Sequence, residues 1–146
     1  MTVRRATLAD REDLIRLAHE SWHDAPFHDV PQNEVQIHAA ADWGLLNPNA
    51  GIWLLCNEHK LPIGVLGVLL TTHTFTGQKI GIQWWCWTRP ESRNGSGLNL
   101  IKEAEKWAKA RGAVALQLIA PSPRFRALCE RLEYSPVEMM YQKELV

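Results

Sequence analysis

From Lys79 to Thr88 the chain alternates with period two. Ile80, Ile82, Trp84 and Cys86 fall on one face, and Gln83, Trp85 and Trp87 on the other. Both rows are largely apolar, which predicts an interior strand covered on two sides. The period then changes. Leu100, Ala104, Trp107 and Ala108 recur at i, i+4, i+7 and i+8, the stripe of a helix that Arg111 and a C′ glycine, Gly112, bring to an end. Between strand and helix lies Arg89-Pro90-Glu91-Ser92-Arg93-Asn94-Gly95-Ser96-Gly97, polar, basic and punctuated by proline and glycine.

The same patterns place the other elements. Residues 2–6 read as a short strand, and Thr7 and Asp10 have capping-box spacing before a helix with Leu14, Leu17, Ala18 and Trp22 on one face. Pro26 and Pro31 mark a loop, residues 32–43 a weaker helix stopped at Gly44, and Asn47-Pro48-Asn49 a turn. Residues 52–56 and 63–72 read as strands joined by the hairpin turn Asn57-Glu58-His59-Lys60. Residues 114–119 predict a buried strand, 124–132 a short helix and 137–145 a closing strand. No internal repeat or linker interrupts this order, so one domain is expected over residues 1–146.

Composition narrows the function classes. With 16 basic and 16 acidic residues the formal net charge is zero, which argues against nucleic acid or a charged membrane surface as partner. No apolar run has the length of a membrane span. Three scattered cysteines, Cys56, Cys86 and Cys129, fit a reduced, cytoplasmic setting better than a disulfide framework. Seven tryptophans are unusual at this length. Trp84, Trp85 and Trp87 stand beside the glycine turn, as core or as the wall of a cofactor slot.

A glycine turn that opens a helix is suited to anionic oxygen. The first N–H groups of the helix lack intrahelical partners and carry the positive end of its dipole. Gly95 and Gly97 have no Cβ to hold a phosphate off, and Arg89 and Arg93 add full charges.

In that order and spacing the chain resembles the GNAT family of N-acetyltransferases, and in particular its small phage-type members. The family opens its long helix with Q/R-x-x-G-x-G/A, and Gly95-Ser96-Gly97 is similar to the glycine pair. Leu128-Cys129-Glu130-Arg131-Leu132-Glu133-Tyr134 resembles the closing L-Y-E-K-L-G-F segment, and Tyr141-Gln142-Lys143-Glu144-Leu145 the last strand. The opening Val3-Arg4-Arg5-Ala6-Thr7-Leu8-Ala9-Asp10 is also family-like. The resemblance implies an α/β GNAT acyl-CoA N-acyltransferase fold, with a mixed, mostly antiparallel, splayed sheet flanked by helices. It also implies transfer of acetyl from acetyl-CoA to a primary amine of a small molecule, peptide or protein; a homodimer stays open. Mapped here, the pantetheine arm meets the main chain of Cys86, Trp87 and Thr88. The pyrophosphate meets Arg93 and the N–H groups of Asn94, Gly95, Ser96, Gly97 and Leu98.

The chain departs from that family pattern at three positions. Ser92 stands at the Q/R position, with Arg93 one residue later. Cys129 stands where many relatives carry the tyrosine that protonates the leaving thiolate. Its thiol is a packing residue or the acid, with Tyr134, Tyr141 or water as the other proton sources. Gln83 stands where many relatives carry a glutamate base, and an amide takes no proton. Glu20, His23, Asp24, Glu34 and His38 are the remaining candidate bases on the acceptor side.

Two other readings use the same residues. His19-Glu20-Ser21-Trp22-His23 matches the H-E-x-x-H of zinc proteases. Against that, Pro26 stands where the extended motif needs a glycine, and too little chain precedes His19 to form the substrate-presenting sheet. The acetyltransferase reading holds no metal. A non-catalytic module that keeps the fold and the CoA slot accounts for Ser92, Gln83 and Cys129 together.

Overall fold

A computed structural model describes residues 1–26 and 28–145. Five strands form one sheet in the order β1-β2-β3-β4-β5, where β1 is Thr2–Arg5, β2 Ala50–Cys56, β3 Pro62–Thr72, β4 Lys79–Thr88 and β5 Ala115–Gln117. The first four pair antiparallel, and β5 runs parallel to β4. Helices α1 (Arg11–Trp22) and α2 (Glu34–Leu46) pack on one face, α3 (Gly97–Ala110) and α4 (Pro123–Arg131) on the other. Buried throughout and rich in branched residues, β2 is covered on both sides. Leu14, Leu17, Ile52 and Leu54 fill the α1–α2 side, and Leu55, Leu66, Leu100 and Ile101 the α3 side. This is the mixed, helix-flanked sheet that the sequence implies.

The start of α1 is held by charge. The Thr7 N–H donates to Asp10 Oδ2 at 2.8 Å, and Arg4 grips the same carboxylate at 2.7 and 2.8 Å. Asp10 is buried, and its pKa lies below the usual carboxylate value chiefly through the Arg4 hydrogen bonds.

Four sequence expectations are corrected. Helix α2 runs through Gly44 to Leu46, so Gly44 is a packing residue and not a stop. A Cβ there would lie 2.6 Å from Ile52 Cδ1 and 3.0 Å from Trp84. The alternation along β4 breaks at a bulge, because Gly67 pairs with Trp85 but Val68 with Gln83, leaving Trp84 unmatched. Trp84, Trp85 and Trp87 therefore all pack on the α1–α2 side, while Cys86 joins the α3–α4 side. The strand expected over 114–119 shrinks to three residues, with Val114 60% and Ile119 55% exposed. Residues 137–145 form no strand, and all of them are exposed.

Candidate active site

Strands β4 and β5 pair only at Ile80, Gly81 and Ile82 with Ala115, Leu116 and Gln117. Beyond Ile82 they part, and among the described residues the β5-side edge of β4 has no ladder partner. Gln83 sits at the fork. Its buried side chain accepts the Ile119 N–H at 3.1 Å, occupying the place of the next ladder bond. The glutamine at this position thus holds the fork, a role that its sequence position alone does not reveal.

The phase of the β3–β4 ladder decides which main-chain groups face the gap. The Arg89 N–H donates to Ile63 O at 2.9 Å, and Val65 lies opposite Trp87. Hydrogen-bonded pairs alternate along an antiparallel ladder, so Trp87 turns its main chain to β3 while Cys86 and Thr88 turn theirs outward. The Thr88 carbonyl is taken by Arg93 Nε at 3.0 Å, so among the described residues the outward groups left without a partner are the Cys86 N–H and carbonyl and the Thr88 N–H.

The polar turn begins with a short 3-10 stretch, Pro90–Ser92, in which Ser92 is buried. Gly95 adopts φ +95°, the left-handed region that a side chain enters only under strain. Leu98 N–H bonds Gly95 O and Ser96 N–H bonds the Asn94 side chain. Among the described residues the N–H groups of Asn94, Gly95 and Gly97 have no hydrogen-bond partner. A Cβ built on Gly95 or Gly97 meets nothing within 4 Å, so the space beside both residues is open. The donor set and the space fit a pyrophosphate.

Arg93 stands differently from the sequence expectation. Its guanidinium donates to Asp24 Oδ2 at 2.7 Å as well as to Thr88 O, and Trp87 Nε1 reaches the same Asp24 oxygen at 2.7 Å. These contacts hold Asp24 below its ordinary pKa, the Trp87 bond foremost. Glu20 is tied in parallel fashion. Arg89 bonds both of its carboxylate oxygens at 2.9 Å, and Arg16 adds a bond of 2.6 Å. The Arg89 hydrogen bonds, with Arg16 behind them, bring Glu20 to a pKa of about 2. A carboxylate at that value is a poor base at neutral pH. Glu20 and Asp24 instead clamp the end of α1 to the turn after β4.

The Glu20 clamp has a pH signature. Its folded pKa, about 2, lies below the ordinary 4.5, so its stabilisation is complete above about 4.5 and is lost as pH falls towards 2. Discounted for partial solvent exposure, the contribution is about 1–3 kcal/mol. Glu20→Gln is expected to lower stability at pH 7 by that amount and to flatten the acid limb of a melting-temperature profile. An unchanged acid limb would remove the clamp from the energetics.

Cys129 is buried on α4, and its thiol is raised by burial and then by Glu130. Burial, with a smaller contribution from Cys129, pushes the Cys86 thiol up to about 12. Both remain protonated at neutral pH. The Tyr134 hydroxyl donates to Glu105 on α3 at 2.7 Å, and burial together with that bond raises its pKa. Tyr141 is 87% exposed on the terminal segment.

His19 lies 3.1 Å from both Gln32 Oε1 and Glu34 Oε1, bridging α1 to the start of α2. Among the described residues no group of three or more His, Cys, Asp or Glu side chains is placed to hold a metal ion. The Arg89–Glu20 and Arg93–Asp24 clamps escape sequence reading because each joins residues 69 apart with no local pattern. The bulge at Trp84 has no local signal, because a strand with two apolar faces takes Trp84 and Trp85 in strict alternation.

This fork above a glycine turn defines a class. The family model described as "Acetyltransferase (GNAT) family" matches residues 11–134, and the chain belongs to that family. No curated protein matches it. Among solved structures, it is similar to an integron cassette protein from the mobile metagenome of Cole Harbour Salt Marsh. That match has 19% identity and a TM-score of 0.80, covering 99% of this chain and 90% of the other. It is similar to a predicted acetyltransferase with acetyl-CoA from Clostridium acetobutylicum at 18% identity and TM-score 0.78, covering 98% and 95%. It is also similar to a ribosomal-protein-alanine N-acetyltransferase from Brucella melitensis biovar Abortus 2308 at 16% identity and TM-score 0.72, covering 99% and 100%. At these identities the likeness establishes the fold. No helix among the described residues is long and apolar enough to cross a membrane.

Proposed function

We propose that this protein transfers the acetyl group of acetyl-CoA to a primary amine. One observation carries the reading: the β4–β5 fork opens beside a turn whose Asn94, Gly95 and Gly97 N–H groups have no partner among the described residues. A neutral, extended pantetheine arm suits the outward main chain of Cys86, as an added strand would, and a doubly charged pyrophosphate suits the helix end. Bound there, the donor supplies an acetyl thioester already activated towards an amine.

The chain's own contribution is chiefly orientation. Glu20 and Asp24 are consumed in ion pairs, and Gln83 is an amide that holds the fork. With Glu20 and Asp24 so engaged, the amine loses its proton to water or to one of the remaining candidates His23, Glu34 and His38, and turnover should climb with pH as the amine or that base deprotonates. Positioning a reactive thioester against an amine supplies much of the rate without a dedicated base.

Cys129 and Tyr134 serve as packing and positioning residues in this scheme, with Tyr134 committed to Glu105. Cys129→Ala is expected to keep most of the turnover, to lose about 1 kcal/mol of stability, and to leave the shape of the pH–rate profile unchanged. A fall of roughly a hundredfold or more, with the alkaline limb moved, would make the thiol the general acid.

The function is tested by calorimetry with CoA and acetyl-CoA, followed by mass-spectrometric screening of small amines, peptides and proteins. Absence of binding removes the proposal. Binding without transfer to any amine would replace the enzyme with a CoA-binding module.

A further inference from the structure

The two clamps that join the end of α1 to the turn after β4 differ in kind. Glu20 takes two bonds from Arg89 and one from Arg16, so the loss of one partner leaves it paired. Among the described residues Asp24 touches one cation, Arg93, and one neutral donor, the Trp87 indole, both through Oδ2 at 2.7 Å. The Arg93 and Asp24 side chains are 39% and 45% exposed, against 28% for each of Arg89 and Glu20. An ion pair so open to water is held loosely, because solvent screens it and competes for its hydrogen bonds.

Arg93 also lies across the way into the fork. Its Nε donates to Thr88 O at 3.0 Å, and the ladder phase turns that carbonyl to the open edge of β4. An arm that adds along this edge meets the Arg93 side chain at Thr88. The next residue in the chain is Asn94, the first of the turn's N–H groups without a partner among the described residues. Arg93 is therefore rooted beside the turn while its guanidinium points back to α1. A pyrophosphate on the turn offers two charges and several acceptor oxygens, more than the single Asp24 oxygen that the guanidinium now holds.

We propose that Arg93 is exchanged between Asp24 and the pyrophosphate of the donor, so that Asp24 is a positioning residue that sets donor affinity. The exchange rests on the reading of the turn as the donor site. The donor breaks the Thr88 and Asp24 contacts of Arg93 and gains the guanidinium in return. Asp24 keeps its bond from Trp87, the foremost cause of its low pKa, and so stays ionised and a poor base after Arg93 has left. The sign of the effect separates exchange from support. Cutting a clamp that only shapes the turn loosens the turn and weakens binding. Removing a competitor strengthens binding, because a larger fraction of molecules has Arg93 available and the apparent Kd falls in proportion.

The test is calorimetry with CoA on the full chain, with melting measured in parallel. Asp24→Asn is expected to tighten CoA binding roughly threefold or more. Asp24→Ser carries the same expectation, so the outcome does not hang on the folding of one variant. Arg93→Gln should weaken binding by about tenfold, the loss of one charge-assisted contact. In the Arg93→Gln background Asp24→Asn should bring no gain. Unchanged or weaker binding in the folded Asp24 variants overturns the exchange and leaves the donor site standing. An equal gain without Arg93 also overturns it, since loss of a negative charge would then be acting from a distance. A wild-type chain that binds no CoA removes the donor site and the exchange together.

Discussion

Gly97→Val is expected to weaken binding of CoA and acetyl-CoA at least a hundredfold, roughly 2.7 kcal/mol, in a chain that stays folded. Gly97 is the first residue of α3, and a Cβ there meets no atom within 4 Å. Valine in its place therefore projects into the open side of the turn, where the pyrophosphate is proposed to lie, without disturbing the fold. Gly95→Val should block binding as strongly but also strain the backbone, because φ +95° is the left-handed region, at a cost of about 1–2 kcal/mol. Comparing the two separates obstruction from unfolding. Calorimetry on each variant, with melting measured in parallel, is decisive. Wild-type affinity in a folded Gly97→Val chain would end the assignment of the turn.

Trp84→Ala is expected to cost about 3–5 kcal/mol of stability. The Trp84 indole is packed against two glycines on different elements. A Cβ on Gly67 of β3 would fall 2.6 Å from the indole, and one on Gly44 of α2 would fall 3.0 Å from it. Trp43 meets the same ring edge-on at 5.3 Å, and Trp85 lies 6.0 Å away. The ring has no room to shift, so Gly67→Ala alone should cost about 1–3 kcal/mol by overpacking. The two changes should not add. In the Trp84→Ala background the space facing Gly67 is vacant, so Gly67→Ala becomes neutral or stabilising there, a coupling visible in a double-mutant cycle. Additive losses would show that the indole does not depend on the two glycines. The slot matters for the site because the bulge at Trp84 lies between the fork at Gln83 and the outward main chain of Cys86.

The acid-labile clamp of Glu20 on Arg89 complements these two effects. It holds the end of α1 to the turn that carries Gly95 and Gly97, so weakening it should disturb the acceptor side and the donor side together.

Local pattern determined much of this protein. Period-two alternation and the i, i+4, i+7 stripe are written in neighbouring residues, and β4 and α3 stand where those periods put them. The turn between them is equally local: Gly95 permits the left-handed φ, and the first N–H of α3, that of Gly97, has no residue a turn earlier in the helix to bond, and no partner among the described residues. Family membership follows from the order and spacing of such segments.

Tertiary structure decided what depends on distant partners. Gly44 looks like a helix stop until Trp84 is seen against it, and period two along β4 holds only until Gly67 admits the bulge. Glu20 and Arg93 carry the right charges for a base and a phosphate ligand, but Arg89 and Asp24, 69 residues away in each case, bind them first. The segments 114–119 and 137–145 have the alternation of strands, yet a strand exists only where a neighbour supplies its hydrogen bonds. β4 serves three residues of the first, and among the described residues no element serves the second. Sequence states which backbone is ready to pair; the arrangement of the whole sheet decides what it pairs with.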